Sequence, residues 1–363
     1  MAETKVVLVT GVAGYWGAKV AAQLVANPGF HVLGIDQEKL EQEIKGLDFI
    51  QADIRNPLLG ELLKSEGVDT VCHLATIESA QPNEAAFDFN IMGTAKVFGA
   101  CAQAGVKKIV TKSTTAVYGA HPTNSAFLRE EHPLKGSTTY GYTRDMIEIE
   151  AFCNGFRLQV PDILLTVLRF PSIVGPTADT PMTRFLKEPL IPVLLGFDPM
   201  MQVIHEDDVT GALVNAIVND VPGIFNVAAE GVVPLSKLIA LAGKIPLPVF
   251  HLFAYWGASF LGSSKMKSLS SIPIELDYIR YAWVGDIARM RDEMQFMPHY
   301  TAEEALREFA GYQRMSIYKT DSANLAYDEE RLRDTIERRR RAAERKPTVT
   351  GENEPEMEGV FDE

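Results

Sequence analysis

Three glycines, an acid closing a second strand, and a tyrosine followed four residues later by a cation are the groups in this chain best placed to do chemistry. The apolar run Val6-Val7-Leu8-Val9 leads into Thr10-Gly11-Val12-Ala13-Gly14-Tyr15-Trp16-Gly17, and a helical pattern follows from Ala18 to Val25. In such a strand–turn–helix the glycines permit a tight turn, a close approach to a pyrophosphate and close packing of helix on strand. The free N–H groups of the helix start face the phosphates, with Tyr15 and Trp16 beside them. A dinucleotide site needs an acid about 20 residues further on. His31-Val32-Leu33-Gly34-Ile35-Asp36 supplies one. Asp36 would accept hydrogen bonds from the adenosine ribose and repel a 2′-phosphate, so NAD is expected over NADP. Much later, Tyr140 and Arg144 stand one helical turn apart on a common face that Glu148 continues.

The Tyr140–Arg144 spacing has an electrostatic meaning. A free tyrosine titrates at about 10, and a unit charge about 4 Å away at an effective dielectric of about 20 contributes roughly 4 kcal/mol, or about three pKa units. Arginine supplies that as well as lysine does. Its planar fork is wider, however, and it cannot give up its proton, so a proton relay through the cation is weakened while a purely electrostatic role survives. The alternative is an ordinary helix residue paired with Glu148.

These residues are positioned by an alternation of strand and helix from residue 5 to about 175, which predicts an α/β fold with a Rossmann-like doubly wound parallel sheet. The strand-like runs are Val6 to Val9, His31 to Ile35, Phe49 to Ala52, Thr70 to Leu74, Lys108 to Lys112 and Leu164 to Phe170. After Gly175-Pro176 the chain becomes proline-punctuated, with strand character returning at Ile224 to Val227. The expected organisation is an NAD-binding domain over 1–175 with a returning segment near 203–230. A smaller interleaved C-terminal substrate lobe covers 176–312, and 313–363 is a charged appendix. Within the appendix Asp328 to Lys346 permits a helix and carries four consecutive arginines, Arg338 to Arg341, while Pro347 to Glu363 is acidic and reads as disordered.

The bulk composition narrows the function classes. A net charge of −13 argues against nucleic acid, and 46% hydrophobic residues suffice for a large core. Cys72, Cys101 and Cys153 lack paired spacing and read as reduced core thiols of a cytoplasmic protein, neither a disulfide framework nor a metal site. No signal-like stretch precedes the first strand, and no apolar run is long enough to span a membrane. His205-Glu206-Asp207-Asp208 has metal-binding residue types, and His73 reads as a packed strand residue.

Taken in order, these motifs resemble the extended short-chain dehydrogenases/reductases, the NAD-dependent epimerase/dehydratase family, over residues 5 to 312. The resemblance rests on the Thr10 to Gly17 turn, Ala52-Asp53-Ile54-Arg55, His73-Leu74-Ala75, Asn90 with Gly93-Thr94, Ser113 to Gly119, the Tyr140 motif, Leu168-Arg169 with Gly175-Pro176, Ile204 to Val209, and Asp286 to Pro298. It implies NAD as cofactor, with Asp53 and Ile54 at the adenine and Leu74, Ala75 and Thr76 along the cofactor. It makes Asn90 a buried support and has Pro171 and Ser172 close over the nicotinamide, Ser172 also meeting substrate. It further implies Thr114 as the hydroxyl holding the reacting oxygen, Tyr140 as acid/base, and Arg144 where the family carries the lysine of Tyr-x-x-x-Lys. The His205 to Asp208 run becomes a structural turn into the Val209 helix, and Tyr118 lies near substrate or at a strand end.

For the substrate, the family's usual pyrophosphate clamp leaves Arg280 as one anchor, while Met200-Met201-Gln202 replaces the other arginine. The apolar stretch Pro246 to Leu261 reads as a cap or dimer helix in preference to a membrane-facing surface, with peripheral membrane contact as the alternative. The expected function is transient hydride transfer on a sugar nucleotide or a related hydroxyl or keto substrate, in a homodimer. The alternatives are a dehydrogenase or reductase of an apolar alcohol or ketone, and a non-catalytic NAD-binding scaffold or redox sensor.

Overall fold

Val7, Val9 and Leu8 are all fully buried, yet they belong to opposite sides of the first strand. Alternate side chains of a strand point to opposite faces, so an unbroken apolar run means both faces are covered. In the computed structural model, which describes residues 4–250, 274–320, 332–333 and 335–337, the strand is β1 (Lys5–Thr10). Helices α1 (Tyr15–Val25) and α6 (Glu206–Val218) cover one face through Val20, Leu24, Val209 and Leu213. Helices α3 (Glu84–Ala104) and α4 (Gly141–Gln159) cover the other through Val97, Phe98, Met146 and Ile149. Helix α3 begins where the Asn83 side chain accepts from the N–H groups of Ala85 and Ala86, and it ends at Gly105 with φ of 77°.

The remaining strands of the main sheet are β2 (Phe30–Asp36), β3 (Leu47–Gln51), β4 (Thr70–His73), β5 (Lys108–Thr114), β6 (Leu164–Phe170) and β11 (Gly223–Asn226). They make a seven-stranded sheet in the order β11-β6-β5-β4-β1-β2-β3, with every pair parallel. The chain runs outward from β1 to β3, then returns to start again on the other side at β4. That reversal opens a crevice beyond the C-terminal ends of β1 and β4, where a doubly wound sheet binds its ligand.

A third core lies outside the sheet and joins Phe185 and Leu186 of α5 (Pro181–Lys187), Leu238 of α7 (Leu235–Leu241), Trp283 and Phe309. Around it β7 (Ser172–Val174) pairs with β10 (Val203–His205), β9 (Met200–Met201) with β12 (Val233–Pro234), and β8 (Leu190–Leu194) with β13 (Ile245–Val249). The returning segment therefore rejoins the main sheet only at β11. Residues Met1–Gly311 form one compact unit and Tyr312–Glu363 a second. Pro246 to Val249 lie in β13, an extended strand where a helix is expected, because prolines at 246 and 248 remove helical N–H donors. Residues 251–261 of that stretch, with Trp256, lie outside the described residues. Of the charged appendix, α9 (Ala302–Thr320) and the helical positions 332–333 and 335–337 are described. Arg338 to Arg341 and the acidic end lie outside the described residues.

Candidate active site

The glycine turn is a cradle that side chains would fill. Gly11 has φ of +72°, and a Cβ there would stand 2.7 Å from the Ala75 Cα; one at Gly17 would stand 2.1 Å from the Gly11 carbonyl oxygen. A Cβ at Gly14 meets only that carbonyl, at 3.3 Å. No side chain caps α1, so its first N–H groups are left for an anion. Asp36, at the end of β2, accepts from the N–H of Ala13 at 3.0 Å and of Glu38 at 3.1 Å, which fixes the carboxylate beside the turn. These features fit a dinucleotide: Gly11, Gly14, Gly17 and the start of α1 would hold the pyrophosphate, and Asp36 the adenosine ribose.

The neighbouring loops are tied to this cradle. The N–H groups of Leu74 and Ala75 reach the Thr10 hydroxyl at 3.2 and 3.4 Å, which brings Leu74, Ala75 and Thr76 alongside Gly11. Asn90, fully buried on α3, accepts from the Ile77 N–H at 2.7 Å and donates to the Ile77 carbonyl and the Asp145 carboxylate at 3.0 and 2.8 Å. It pins the loop after β4 to α4. Asp53 is held by Arg55, whose hydrogen bonds keep its carboxyl below its ordinary value. Ile54 is buried against Gly93.

Beside the cradle lies a cleft enclosing about 810 Å³ with its open mouth. Trp16, Thr114, Tyr140, Pro171 and Ser172 all line it, so the glycine turn, the end of β5, the start of α4 and the β6–β7 junction converge on one space. The Thr114 hydroxyl also accepts from the Ala116 N–H at 3.2 Å, which fixes its direction. Tyr15 is tied away from the cleft floor, donating to Glu206 at 2.6 Å, while Trp16 packs edge-on against its ring.

Two expected residues go elsewhere. Arg144 does not line the cleft: its guanidinium bonds Asp145 at 3.1 Å, approaches Glu84 at 3.7 Å and stacks over Phe87 at 4.4 Å. Its partners are Asp145 and Glu84 rather than Glu148. Arg280 is likewise absent from the lining and stacks on Phe197 and Tyr281, 4.7 and 4.9 Å from the ring centroids. Met201 is fully buried in the third core.

The consequence for Tyr140 runs opposite to the expected lowering. Burial, aided by the carboxylates of Glu78 and Glu275, pushes its phenol up to about 12, with Arg184 opposing. The phenol must therefore give up its proton before Tyr140 can act as a base.

Sequence reasoning missed the cation that the cleft does contain. Lys112 lines it and donates to the Tyr142 hydroxyl at 3.1 Å, with Nζ 5.8 Å from the Trp16 ring centroid. Burial would lower this ammonium, but Tyr142 and Glu78 hold it above its ordinary value. The signal was present in the sequence. Lys112 lies two residues before Thr114 on β5, hence on the same face of the strand. Glu78, Asp179 and Glu275, also unforeseen, add carboxylates to the lining.

Below the cleft a buried network fixes the strand ends. Arg169 pairs with Glu150 and donates to the Tyr118 hydroxyl at 2.6 Å, and Tyr118 donates to Asn226 at 2.7 Å. Tyr118 is thus structural. His73 bridges the hydroxyls of Thr10 and Thr94 at 2.8 and 3.0 Å, as a packed strand residue does. His205 caps α6 by accepting from the Asp207 N–H, so the His205 to Asp208 run is the turn into that helix.

A family model described as the NAD dependent epimerase/dehydratase family matches residues 7–228. An uncharacterized protein of Mycobacterium tuberculosis is 33% identical over 314 residues, covering 84% of this chain and 83% of its own. UDP-glucose 4-epimerase 1 of Oryza sativa subsp. japonica is 26% identical, covering 88% and 98%. Among solved structures, a UDP-glucuronic acid 4-epimerase from Bacillus cereus in complex with UDP-glucuronic acid and NAD superposes with a TM-score of 0.65 at 21% identity, covering 85% of this chain and 99% of its own. A dTDP-glucose 4,6-dehydratase from Bacillus anthracis in complex with NAD gives 0.64 at 17%, covering 86% and 97%. The fold is the one these epimerase and dehydratase structures share. The chain belongs to the NAD-dependent epimerase/dehydratase family.

Proposed function

We propose that this enzyme oxidises and re-reduces one carbinol carbon of a nucleotide sugar, with Tyr140 as acid/base and Thr114 holding the reacting oxygen. The observation that carries the reading is the meeting of Thr114, Tyr140, Pro171 and Ser172 in one cleft beside the glycine turn. NAD, held by Gly11, Gly14, Gly17, the start of α1 and Asp36, would supply the hydride acceptor and donor. The chain's residues do the rest. Thr114, oriented by the Ala116 N–H, donates to the substrate oxygen; Tyr140, as the phenolate, takes up the hydroxyl proton while the carbinol carbon is oxidised, and as the phenol so formed gives it back on re-reduction. The carboxylates of Glu78, Asp179 and Glu275 are acceptors suited to sugar hydroxyls and poorly suited to an apolar ligand, and Met201, whose side chain motivates the apolar alternative, is buried away from the cleft. Three buried free thiols accord with a cytoplasmic location. No helix among the described residues is long and apolar enough to cross a membrane. A homodimer is part of the proposal.

The displaced Arg144 is what favours the non-catalytic NAD-binding alternative. Incubation with NAD and a panel of UDP- and dTDP-hexoses separates the readings: an enzyme converts one of them to an epimer or a dehydrated keto sugar, and Tyr140→Phe abolishes the conversion. NAD binding with no conversion of any sugar nucleotide would give the ground to the scaffold reading.

A further inference from the structure

Arg144 is turned onto α3, and among the described residues that line the cleft Lys112 is the one cation. Its place relative to a bound dinucleotide follows from the sheet. Asp36 at the end of β2 sets the adenosine side and the turn after β1 sets the pyrophosphate, so the other half of the molecule runs over the ends of β4, β5 and β6. Lys112 projects there from β5, on the face of Thr114, between Trp16 of the turn and Tyr142 of α4. We propose that Lys112 is the charged residue acting on the nicotinamide ring, and that it biases the site toward the reduced cofactor.

The reason is a charge difference. The oxidised ring is cationic and the reduced ring neutral, so a fixed ammonium beside it disfavours only the oxidised form. Glu78, Asp179 and Glu275 line the same cleft and offset part of this charge. Burial raises the carboxyls of Glu78 and Glu275, the former against the pull of Lys112 and Arg184, and Asp179 is paired with Arg184 at 3.0 Å, which weakens that offset. With an effective dielectric of about 20, a unit charge near the ring changes the ratio of the two affinities by on the order of tenfold or more. A cofactor biased toward its reduced form is the better oxidant of a carbinol. That is the opening half-reaction of the function proposed above, on whose cofactor placement this inference rests.

The test needs no substrate. Dissociation constants for NAD⁺ and NADH are measured by calorimetry on the full chain and on Lys112→Met, Lys112→Gln, Lys112→Arg and Arg144→Met, with the melting temperature of each variant as a folding control. The native protein should bind NADH at least about tenfold more tightly than NAD⁺. Lys112→Met and Lys112→Gln should bring the ratio to within about threefold of unity, while Lys112→Arg and Arg144→Met keep it. Glutamine still donates to Tyr142 without the charge, so it reads the charge alone even if the methionine variant does not fold. A ratio unmoved by the neutral variants, or moved as far by Arg144→Met, overturns the proposal and leaves the assigned reaction standing. Failure of the native chain to bind either nucleotide overturns both.

Discussion

Gly17 and Gly14 sit three residues apart in one turn, and adding a methyl group to each should have opposite effects. At Gly17 the new Cβ would lie 2.1 Å from the Gly11 carbonyl oxygen and 2.7 Å from the Val12 Cα, both backbone atoms of the same turn. No rotamer relieves such a contact, so either α1 lifts from β1 or the turn itself opens. Overpacking of a tight core costs about 1–3 kcal/mol, and backbone against backbone belongs at the upper end, so Gly17→Ala should lose about 3 kcal/mol. At roughly 2 °C per kcal/mol for a large domain, the melting temperature falls by about 6 °C, and NAD affinity falls with the distorted turn. Gly14→Ala meets one atom at 3.3 Å, and should keep its melting temperature within about 2 °C while weakening NAD by about tenfold or more, because the methyl occupies the phosphate approach. Calorimetric melting and NAD titration of both variants decide the matter. A Gly17→Ala protein that melts with the native one and binds NAD normally would refute the argument, as would a Gly14→Ala protein with native affinity.

Three further outcomes are expected. Asp36→Ala should narrow the preference for NAD over NADP, measured by paired titrations, because it removes both a ribose acceptor and a repulsion; tighter NADP binding by the native protein would contradict the assignment. His73 is buried neutral, with its imidazole pushed down to about 4. The unfolded chain takes its proton near pH 6.5 and the folded one only near 4, so this contribution is complete above about 6.5 and is lost as pH falls toward 4, amounting to about 3 kcal/mol. Urea unfolding at pH 7 and pH 4.5 should show a smaller pH dependence in His73→Gln, and an unchanged one would refute this. Glu150→Gln strands the buried Arg169 charge and should cost about 3–5 kcal/mol in denaturant unfolding, against little change if the pair contributed nothing.

The strands of the sheet were legible because a strand covered on both faces must be apolar without interruption. Leu164–Phe170 is observed with the limits its sequence predicts, and β3 begins two residues earlier than Phe49. The glycine turn and Asp36 were legible for a similar reason: backbone close to backbone admits only glycine, and an acid at a strand end beside that turn has little freedom. Arg144 was not. A spacing of four fixes where two Cα atoms lie on a helix, not where a long side chain ends, and Asp145, Glu84 and Phe87 together offered the guanidinium better partners than Tyr140. The raised phenol of Tyr140 follows from burial first and then from carboxylates distant in sequence at 78 and 275, neither of which a helical spacing reveals. Lys112 was readable in principle from its register with Thr114. Its pairing with Tyr142 depends on how close α4 comes to β5, which only the fold reveals. The helix expected within Pro246 to Leu261 failed at its first residues because the prolines that punctuate it suit an extended edge strand, and β13 pairs there with β8.

Thr114 and Tyr140 are proposed to carry out reversible oxidation of a sugar nucleotide against bound NAD. The most direct measurement mixes the NAD-loaded chain rapidly with UDP-glucose, or with whichever sugar nucleotide the panel shows to be converted, and follows absorbance at about 340 nm, where reduced nicotinamide absorbs. Absorbance should rise and then decay as product forms, with both phases slowed by about 100-fold or more in Tyr140→Phe, within the range of a lost general acid/base. A native rate of reduction and turnover in Tyr140→Phe, or conversion of the sugar with no reduction of the cofactor at any time, would contradict it.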